Sequence, residues 1–319
     1  SDDGGCIMCF TAMPGADYKS RKKLVMKKEI EPLLFKALDE DAFLDTRELL
    51  KPLTDLYKSF HIYLYKKNIF TVVNQLIGDA GKSVHTPIPD IVLFINGIPV
   101  ITAELKFELQ GQDYIEAQTQ YKLRSLAEPL FKFKTGPLVH FAVDTTNASM
   151  TTKLAKSGTN FLPFNLGSNG AGNQGGKGNP KAPQGKFATD YIWEKVLTKE
   201  SLLDIIQSFI TLEVDSKTKE ETLIFPRYHQ LDVVSKLVAD VKENGSGKNY
   251  LIQHSAGSGK SNSIAWLAYQ LTELHDENDK PIFTSVIVVN DRTVLDRQLQ
   301  DTISSFDHTL GTVETIGEG

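Results

Sequence analysis

The run Ile252-Gln-His-Ser-Ala-Gly-Ser-Gly-Lys-Ser261 lies between an apolar pair, Tyr250 and Leu251, and the apolar-periodic segment Ile264-Ala-Trp-Leu-Ala-Tyr-Gln-Leu271. A strand, a glycine loop and a helix in that order leave few folds open, because the arrangement belongs to parallel α/β sheets that hold nucleotide phosphates. Gly257 and Gly259 let backbone N–H groups turn toward a polyphosphate, with Ser258 between them. The N-terminus of the following helix adds partial positive charge. Lys260 can reach the β and γ phosphates, and the Ser261 hydroxyl can hold Mg²⁺. The full pattern would place a glycine where this chain has His254, so this is a relaxed form of the motif. ATP or GTP is the expected ligand.

At 319 residues the chain has room for about two domains. Its 40% hydrophobic and 24% charged residues suit a globular protein, and a net charge of −5 argues against a uniformly basic surface. Local clusters such as Lys19 to Lys28 leave phosphate contacts possible. No apolar run approaches the roughly 20 residues of a membrane span. The N-terminus lacks the basic-then-apolar order of a signal peptide, so a cytoplasmic location with no membrane partner is expected. Cys6 and Cys9 form a Cys-x-x-Cys with no second pair, which reads as two reduced thiols in a leader.

Residues 1–20 read as that leader, disordered. Leu24, Ile30, Leu33, Leu34, Ala37 and Leu38 then recur at helical spacing. Strands are expected at Phe60–Tyr65 and Phe70–Leu76, with a turn-rich piece from Gly78 to Pro89. A hairpin follows, with Asn96-Gly97 as its turn between Ile91–Ile95 and Ile98–Leu105. A helix around Tyr114–Leu126 and a strand at Leu138–Val143 complete a small α/β domain over 21–166. Residues 167–186 are rich in Gly, Asn and Lys without apolar periodicity, and read as a mobile loop or linker. A helical connector is expected over 187–222, with helices near Ala188–Val196 and Ser201–Ile210. The nucleotide-binding domain follows over 223–319, with a helix through Val241. Its next strand, Ser285–Val289, carries an uninterrupted β-branched run from Val286 to Val289, as suits a strand buried on both faces.

The hairpin carries a second group of functional candidates. Asp90 enters its first strand, and Glu104 and Lys106 close its second. Alternation places Glu104 and Lys106 on one face, and the turn folds Asp90 back toward them. Asp90 and Glu104 would supply oxygen ligands for Mg²⁺, which lowers the pKa of a water and neutralises charge at phosphorus. Lys106 would orient that water or stabilise the developing charge. The form Pro89-Asp90, thirteen residues, Glu104-x-Lys106 resembles the PD-(D/E)xK nuclease motif. Glu29 and Glu31 are candidates for a further carboxylate from an N-terminal helix, or face solvent. Gln118 or Gln120, on a helix shared with Tyr121 and Arg124, could contact a DNA backbone or steady Lys106, or simply form a helix surface.

These segments, with Leu138–Asp144, Phe225-Pro-Arg-Tyr-His-Gln230 and Val288-Val-Asn-Asp-Arg-Thr-Val-Leu-Asp296, resemble in order and content the R (HsdR) subunit of type I restriction enzymes over about residues 58–310. The resemblance implies a PD-(D/E)xK nuclease-like α/β domain followed by a partial RecA-like parallel-sheet P-loop domain. It implies ATP and Mg²⁺ as cofactors, and double-stranded DNA with methyltransferase (M) and specificity (S) subunits as partners. It further implies ATP-driven DNA translocation and cleavage away from the recognition site. By the same resemblance Gln230 reads adenine with Arg227 beside it, and Asp291 and Arg292 lie near the DNA backbone. The family's second motor domain, its Asp-Glu pair and its arginine finger are not visible, so the chain is expected to be a fragment unable to hydrolyse ATP alone. Two other classes stay open: a helicase-like DNA-binding regulator with a silent nuclease fold, and a small-molecule P-loop kinase beside an unrelated α/β domain.

Overall fold

The computed structural model describes residues 68–75, 89–215, 218–255, 257–276, 280–289 and 303. The readings made for Cys6, Cys9, Lys19 to Lys28, Glu29, Glu31, the helix over 24–38, the strand over 60–65, Asp291 and Arg292 lie outside those residues. The chain divides into two compact units. The first holds residues up to Val143 together with Leu154–Asn160, and the second holds Asp144–Lys153 and everything from Phe161. The glycine-rich segment 167–186 lies within the second unit.

The first unit is built on β1 (Phe70–Asn74), β2 (Ile91–Ile95), β3 (Ile98–Leu105) and β4 (Val139–Val143), in that order across the sheet. β1 and β2 are antiparallel, as are β2 and β3, while β3 and β4 run parallel. The β2–β3 turn forms as expected, with Asn96 at φ 52° and Gly97 at φ 84°. Two positive φ values in succession give the twist that a two-residue hairpin needs, and Asn and Gly tolerate them best. Asn96 is fixed further by its Oδ1, which accepts the Ile69 N–H at 2.8 Å.

Burial sorts the strands. Every residue of β4 is buried, whereas β1 at the edge exposes Thr71, Val72 and Asn74. The parallel β3–β4 pair is spanned by α1 (Tyr114–Leu123), which packs on both strands. Asp113 caps α1 by accepting the Ile115 and Glu116 N–H groups, satisfying donors that a helix start otherwise leaves open. Ala117 and Tyr121, one turn apart, form its buried face. The helix ends three residues earlier than periodicity suggests, because Arg124 leaves helical geometry at ψ 146°.

The second unit contains the antiparallel pair β5 (Ala148–Thr151) and β6 (Leu162–Pro163) and the hairpin β7 (Thr211–Val214) and β8 (Glu221–Ile224). It also contains α2 (Lys199–Ser208), α3 (Tyr228–Asn244) and α4 (Lys260–Thr272), with one turn of π-helix at Ile192–Val196. The stretch read as a helical connector therefore also carries a β-hairpin. Tyr228 anchors an aromatic core, meeting Tyr191 at 5.1 Å and Phe164 at 5.9 Å between ring centroids.

The glycine-rich segment has no helix or strand, but it is tied by side chains rather than left as a bare linker. Asn179 Oδ1 accepts the Leu166 N–H at 2.7 Å, and its amide donates to Thr146 O at 2.8 Å and Asn165 Oδ1 at 3.0 Å. Gly167 N–H reaches Gly178 O at 2.8 Å across the base of the loop. Asparagine amides here take up backbone groups that a sheet would otherwise pair.

The strands expected on either side of the phosphate loop are absent among the described residues. Residues 247–255 and 282–289 form none, and Leu251, Ile287 and Val289 are 94%, 76% and 88% exposed. A strand needs a neighbour for its backbone groups and a covered face for its side chains. The described residues supply neither to these runs, so their β-branched composition alone does not produce the parallel sheet anticipated.

Candidate functional site

The hairpin brings Asp90 and Glu104 to facing positions at one end of the first unit. Ile91 pairs with Ala103, so Asp90 stands one step beyond the register, opposite Glu104. Its Oδ2 accepts the Leu105 N–H at 2.8 Å. Asp90 also borders a shallow hollow lined by Val72, Asn74, Ile91 and Leu105. Lys106 follows the strand, half-buried, and its N–H extends the parallel ladder to Val143 O at 2.8 Å. The two carboxylates thus stand opposite each other at the mouth of a strand pair.

Glu104 is far less accessible than a solvated strand end would be. It is 2% exposed and forms an ion pair through Oε1 with Nη2 of Arg124, itself 3% exposed. The pair also explains how α1 ends, since the turn at Arg124 carries the guanidinium down toward the strand. The Asp90 charge acts on Arg124 as well. Burial nonetheless dominates, pushing Arg124 down to about 10, with nearby Glu128 and Asp90 opposing that shift. One buried cation therefore balances a pair of carboxylates. Its guanidinium also lies 5.1 Å from the Phe131 ring centre.

Two residues earlier on the same face, Thr102 Oγ1 lies 2.8 Å from Tyr121 OH and 2.6 Å from His140 Nδ1. Tyr121 fills the space between α1 and the strands, packing on His140 at 5.4 Å and Phe131 at 6.5 Å between ring centroids. Burial raises the Tyr121 phenol well above its ordinary range. Sequence reading missed Thr102 and His140; the available signal was a histidine inside the apolar run 138–143, while its partner Thr102 is identified only by the register of β3 and β4. Gln118 is half-buried and Gln120 exposed, so among the helix candidates Tyr121 and Arg124 are the buried ones.

His140 is pushed down to about 3, first by burial and then by the Arg124 charge. It is neutral in the fold between that value and its unfolded value near 6.5, where the unfolded chain takes a proton that the fold refuses. Its contribution is therefore intact above pH 6.5 and declines as pH falls toward 3. Between pH 7 and pH 5 this single group is expected to remove about 2 kcal/mol of stability, at 1.36 kcal/mol per pKa unit. Urea unfolding of wild type and His140→Gln at the two pH values checks this. Equal pH slopes in the two proteins would refute it.

The phosphate loop is in the second unit. Gly257 and Gly259 adopt φ 69° and 80°, the left-handed conformations that favour glycine, and α4 begins at Lys260 directly after Gly259. Lys260 Nζ donates to Ser255 O at 2.9 Å and His254 O at 3.3 Å, folding over the loop. Ser258 is buried, and Ser261 lies in the first turn of α4. The N-terminus of α3 meets the loop through its cap residue and first turn. Arg227 Nη2 donates to Gly257 O at 3.1 Å, and Gln230 Nε2 donates to Gly259 O at 2.8 Å. Gln230 Oε1 in turn accepts the Arg227 N–H at 2.9 Å, so both ends of the amide expected to read adenine are engaged within the chain. His229 and His254 stack edge to face at 4.9 Å between centroids. Burial lowers both imidazoles, helped by the charges of Arg227 and, for His254, Lys260.

Two oxygen donors at Asp90 and Glu104 suit a hard divalent cation in kind. One oxygen of each is already engaged, by Leu105 N–H and by Arg124, and among the described residues no group of three or more His, Cys, Asp or Glu gathers into a metal cluster. The loop, by contrast, has the helix start, lysine and hydroxyl that a nucleotide's phosphates and Mg²⁺ call for.

A mixed α/β unit with paired carboxylates at a strand end, and a glycine loop heading a helix in a second unit, define a class that couples a nuclease-like fold to a nucleotide-binding motif. Comparison with known families gives the particular assignment. Residues 37–159 match the family described as type I restriction enzyme R protein N terminus, ending one residue before the end of the first unit's last segment, Leu154–Asn160. Residues 229–316 match the SWI2/SNF2 ATPase family. Over residues 37–159 the chain belongs to the type I restriction enzyme R protein family.

Among curated relatives, the putative type I restriction enzyme MjaVIIIP endonuclease subunit of Methanocaldococcus jannaschii is 31% identical over 247 residues, 75% of this chain and 21% of the relative. The type I restriction enzyme HindI endonuclease subunit of Haemophilus influenzae is 28% identical over 248 residues, 75% of this chain and 22% of the relative. The putative MjaVIIP endonuclease subunit of M. jannaschii is 32% identical over 223 residues, 67% of this chain and 19% of the relative. The chain thus spans about a fifth of the length of these relatives. No described helix is long and apolar enough to cross a membrane.

Proposed function

We propose that this chain is the nuclease and leading motor portion of a type I restriction R subunit, which cleaves double-stranded DNA with Mg²⁺ and translocates it with ATP. The observation that carries the reading is the facing of Asp90 and Glu104 at the end of β2 and β3, inside the region that matches the R protein N terminus. Asp90 and Glu104 would hold Mg²⁺, each keeping one carboxylate oxygen besides the one engaged by Leu105 N–H or by Arg124. The cation, when bound, acidifies a water and neutralises charge at the scissile phosphate. Lys106, two residues past Glu104 and half-buried, orients that water or steadies the developing charge.

In the second unit, Lys260 leaves its two loop carbonyls to reach the β and γ phosphates, and the Ser261 hydroxyl joins the Mg²⁺ of the nucleotide. The exposed apolar runs at 250–252 and 285–289 become strands of a RecA-like sheet when neighbours cover them. The partners are duplex DNA and the M and S subunits, in the cytoplasm. The unit alone need not hydrolyse ATP, because a motor of this kind draws catalytic groups from a second domain.

ATP dependence supplies the test of the motor half. Lys260→Ala is expected to lower ATP-dependent duplex cleavage by the assembled complex about 100-fold or more, the scale of losing a charge that clamps a transferring phosphoryl group. Cleavage that ignores the substitution would remove the phosphate loop from the mechanism. A second reading, a DNA-binding regulator with a silent nuclease fold, draws on the burial of Glu104 in its ion pair. Mg²⁺-dependent nicking that disappears in Lys106→Ala excludes it.

A further inference from the structure

Three consecutive carbonyls of the glycine loop are held by three side chains from one short piece of chain. Arg227 takes Gly257 O at 3.1 Å, His229 Nε2 takes Ser258 O at 3.0 Å, and Gln230 takes Gly259 O at 2.8 Å. Because a carbonyl only accepts, the His229 ring must carry its proton on Nε2. The amide of Gln230 is buried and braced by the Arg227 N–H, so it cannot turn freely. The contact is close: a Cβ on Gly259 would sit 2.5 Å from Gln230 Nε2 and 3.2 Å from Arg227 Nη2.

The peptide group is planar and trans, so the C=O and N–H of one unit point in opposite directions. Fixing the carbonyls of Ser258 and Gly259 to one side aims the N–H groups of Gly259 and Lys260 to the other. The Ser258 N–H is excluded from that set, since it donates to Ser255 O at 3.3 Å. Two successive amides directed outward at a helix start form an anion-binding concavity. The Gly259 N–H loses its aim if His229 releases the Ser258 carbonyl, while the Gly259 carbonyl behind the Lys260 N–H is held both by Gln230 and by the Ser263 N–H of α4 at 3.3 Å.

We infer that Arg227, His229 and Gln230 form a ridge that sets the phosphate loop, and that His229 and Gln230 are positioning residues for polyphosphate rather than for the base. The inference deepens the nucleotide-binding reading of this loop and rests on it. It assigns a role to His229, for which the motif reading gave none, and shifts that of Gln230 from adenine to the geometry of Gly259 and Lys260.

The test is equilibrium binding of Mg²⁺-ATP and of inorganic tripolyphosphate, which has no base, by calorimetry on the purified protein. Wild type, His229→Ala, His229→Gln and Gln230→Ala are compared, each with its thermal unfolding midpoint. His229→Ala is expected to weaken both ligands about tenfold, the scale of one hydrogen bond. His229→Gln, which keeps a donor, should return both to within about twofold, and Gln230→Ala should weaken both alike. Unchanged tripolyphosphate affinity in His229→Ala would overturn the ridge, as would a Gln230→Ala defect confined to ATP, which marks a base reader. A fall in midpoint without loss of affinity would reduce His229 to a structural role. Wild type that binds neither ligand would instead sink the phosphate-loop reading itself, and the ridge with it.

Discussion

Arg124→Met is expected to destabilise the first unit by about 3–5 kcal/mol, the cost of removing one partner from a buried ion pair. Glu104 is 2% exposed, and its Oε1 is held by Arg124. With methionine in place, the carboxylate must stay charged without a counter-ion or take up a proton. The Asp90 charge, which also acts on Arg124, makes the charged form still less favourable. Methionine retains most of the side chain's length and its packing on Phe131, so lost volume is a small part of the effect. Denaturant unfolding measures the loss. A change below about 1 kcal/mol would mean that the pair is not buried as described. The double replacement Arg124→Met with Glu104→Leu should recover much of the stability, because exchanging both partners for apolar groups is often neutral.

Asp90→Asn is the complementary case, with a large effect on chemistry and a small one on the fold. Asp90 is only partly buried and its structural contact is one accepted hydrogen bond from Leu105 N–H, which an asparagine carbonyl oxygen can also accept. Stability should stay within about 1 kcal/mol of wild type, because Asp90 is half-buried and is a secondary partner of Arg124 behind Glu104, which keeps the direct ion pair. Charge on a metal ligand is what the change removes. Duplex cleavage is therefore expected to fall about 100-fold or more, on the scale of losing preorganised charge in an active site. Glu104→Gln should also abolish cleavage, but it leaves Arg124 facing a neutral partner and so reports stability and chemistry together.

What could be read from the sequence divides along physical lines. The Asn96-Gly97 turn and the period-2 alternation of β2 and β3 are local, and they were enough to bring Asp90 opposite Glu104. The Arg124–Glu104 pair was not legible, because it depends on how far α1 lies down on β3 and where that helix ends. His140 and Thr102 were hidden for a related reason: polar residues in apolar strands reveal their partners only when β3 and β4 are set in parallel register. The glycine-rich segment looked like a bare linker from composition, yet Asn165 and Asn179 supply its tethers through side-chain amides. At the other extreme, the apolar runs 250–252 and 285–289 looked like strands, and their composition could not specify the neighbours that a strand requires. The glycine loop itself was found by motif, but its Arg227, His229 and Gln230 backing was not, since a motif names the residues facing the ligand and not those behind them.

The central claim is that the carboxylate hairpin is the nuclease centre of an ATP-driven restriction subunit. The most direct measurement follows supercoiled plasmid cleavage and ATP consumption in the same reaction, with the assembled R, M and S complex carrying wild-type or Asp90→Asn R subunit and Mg²⁺. The account predicts that Asp90→Asn loses cleavage while ATP consumption stays within about twofold of wild type, since a charge removed from one site should not alter a separate one. Cleavage at the wild-type rate by Asp90→Asn would contradict it, and would leave the hairpin as scaffold with the scissile chemistry elsewhere.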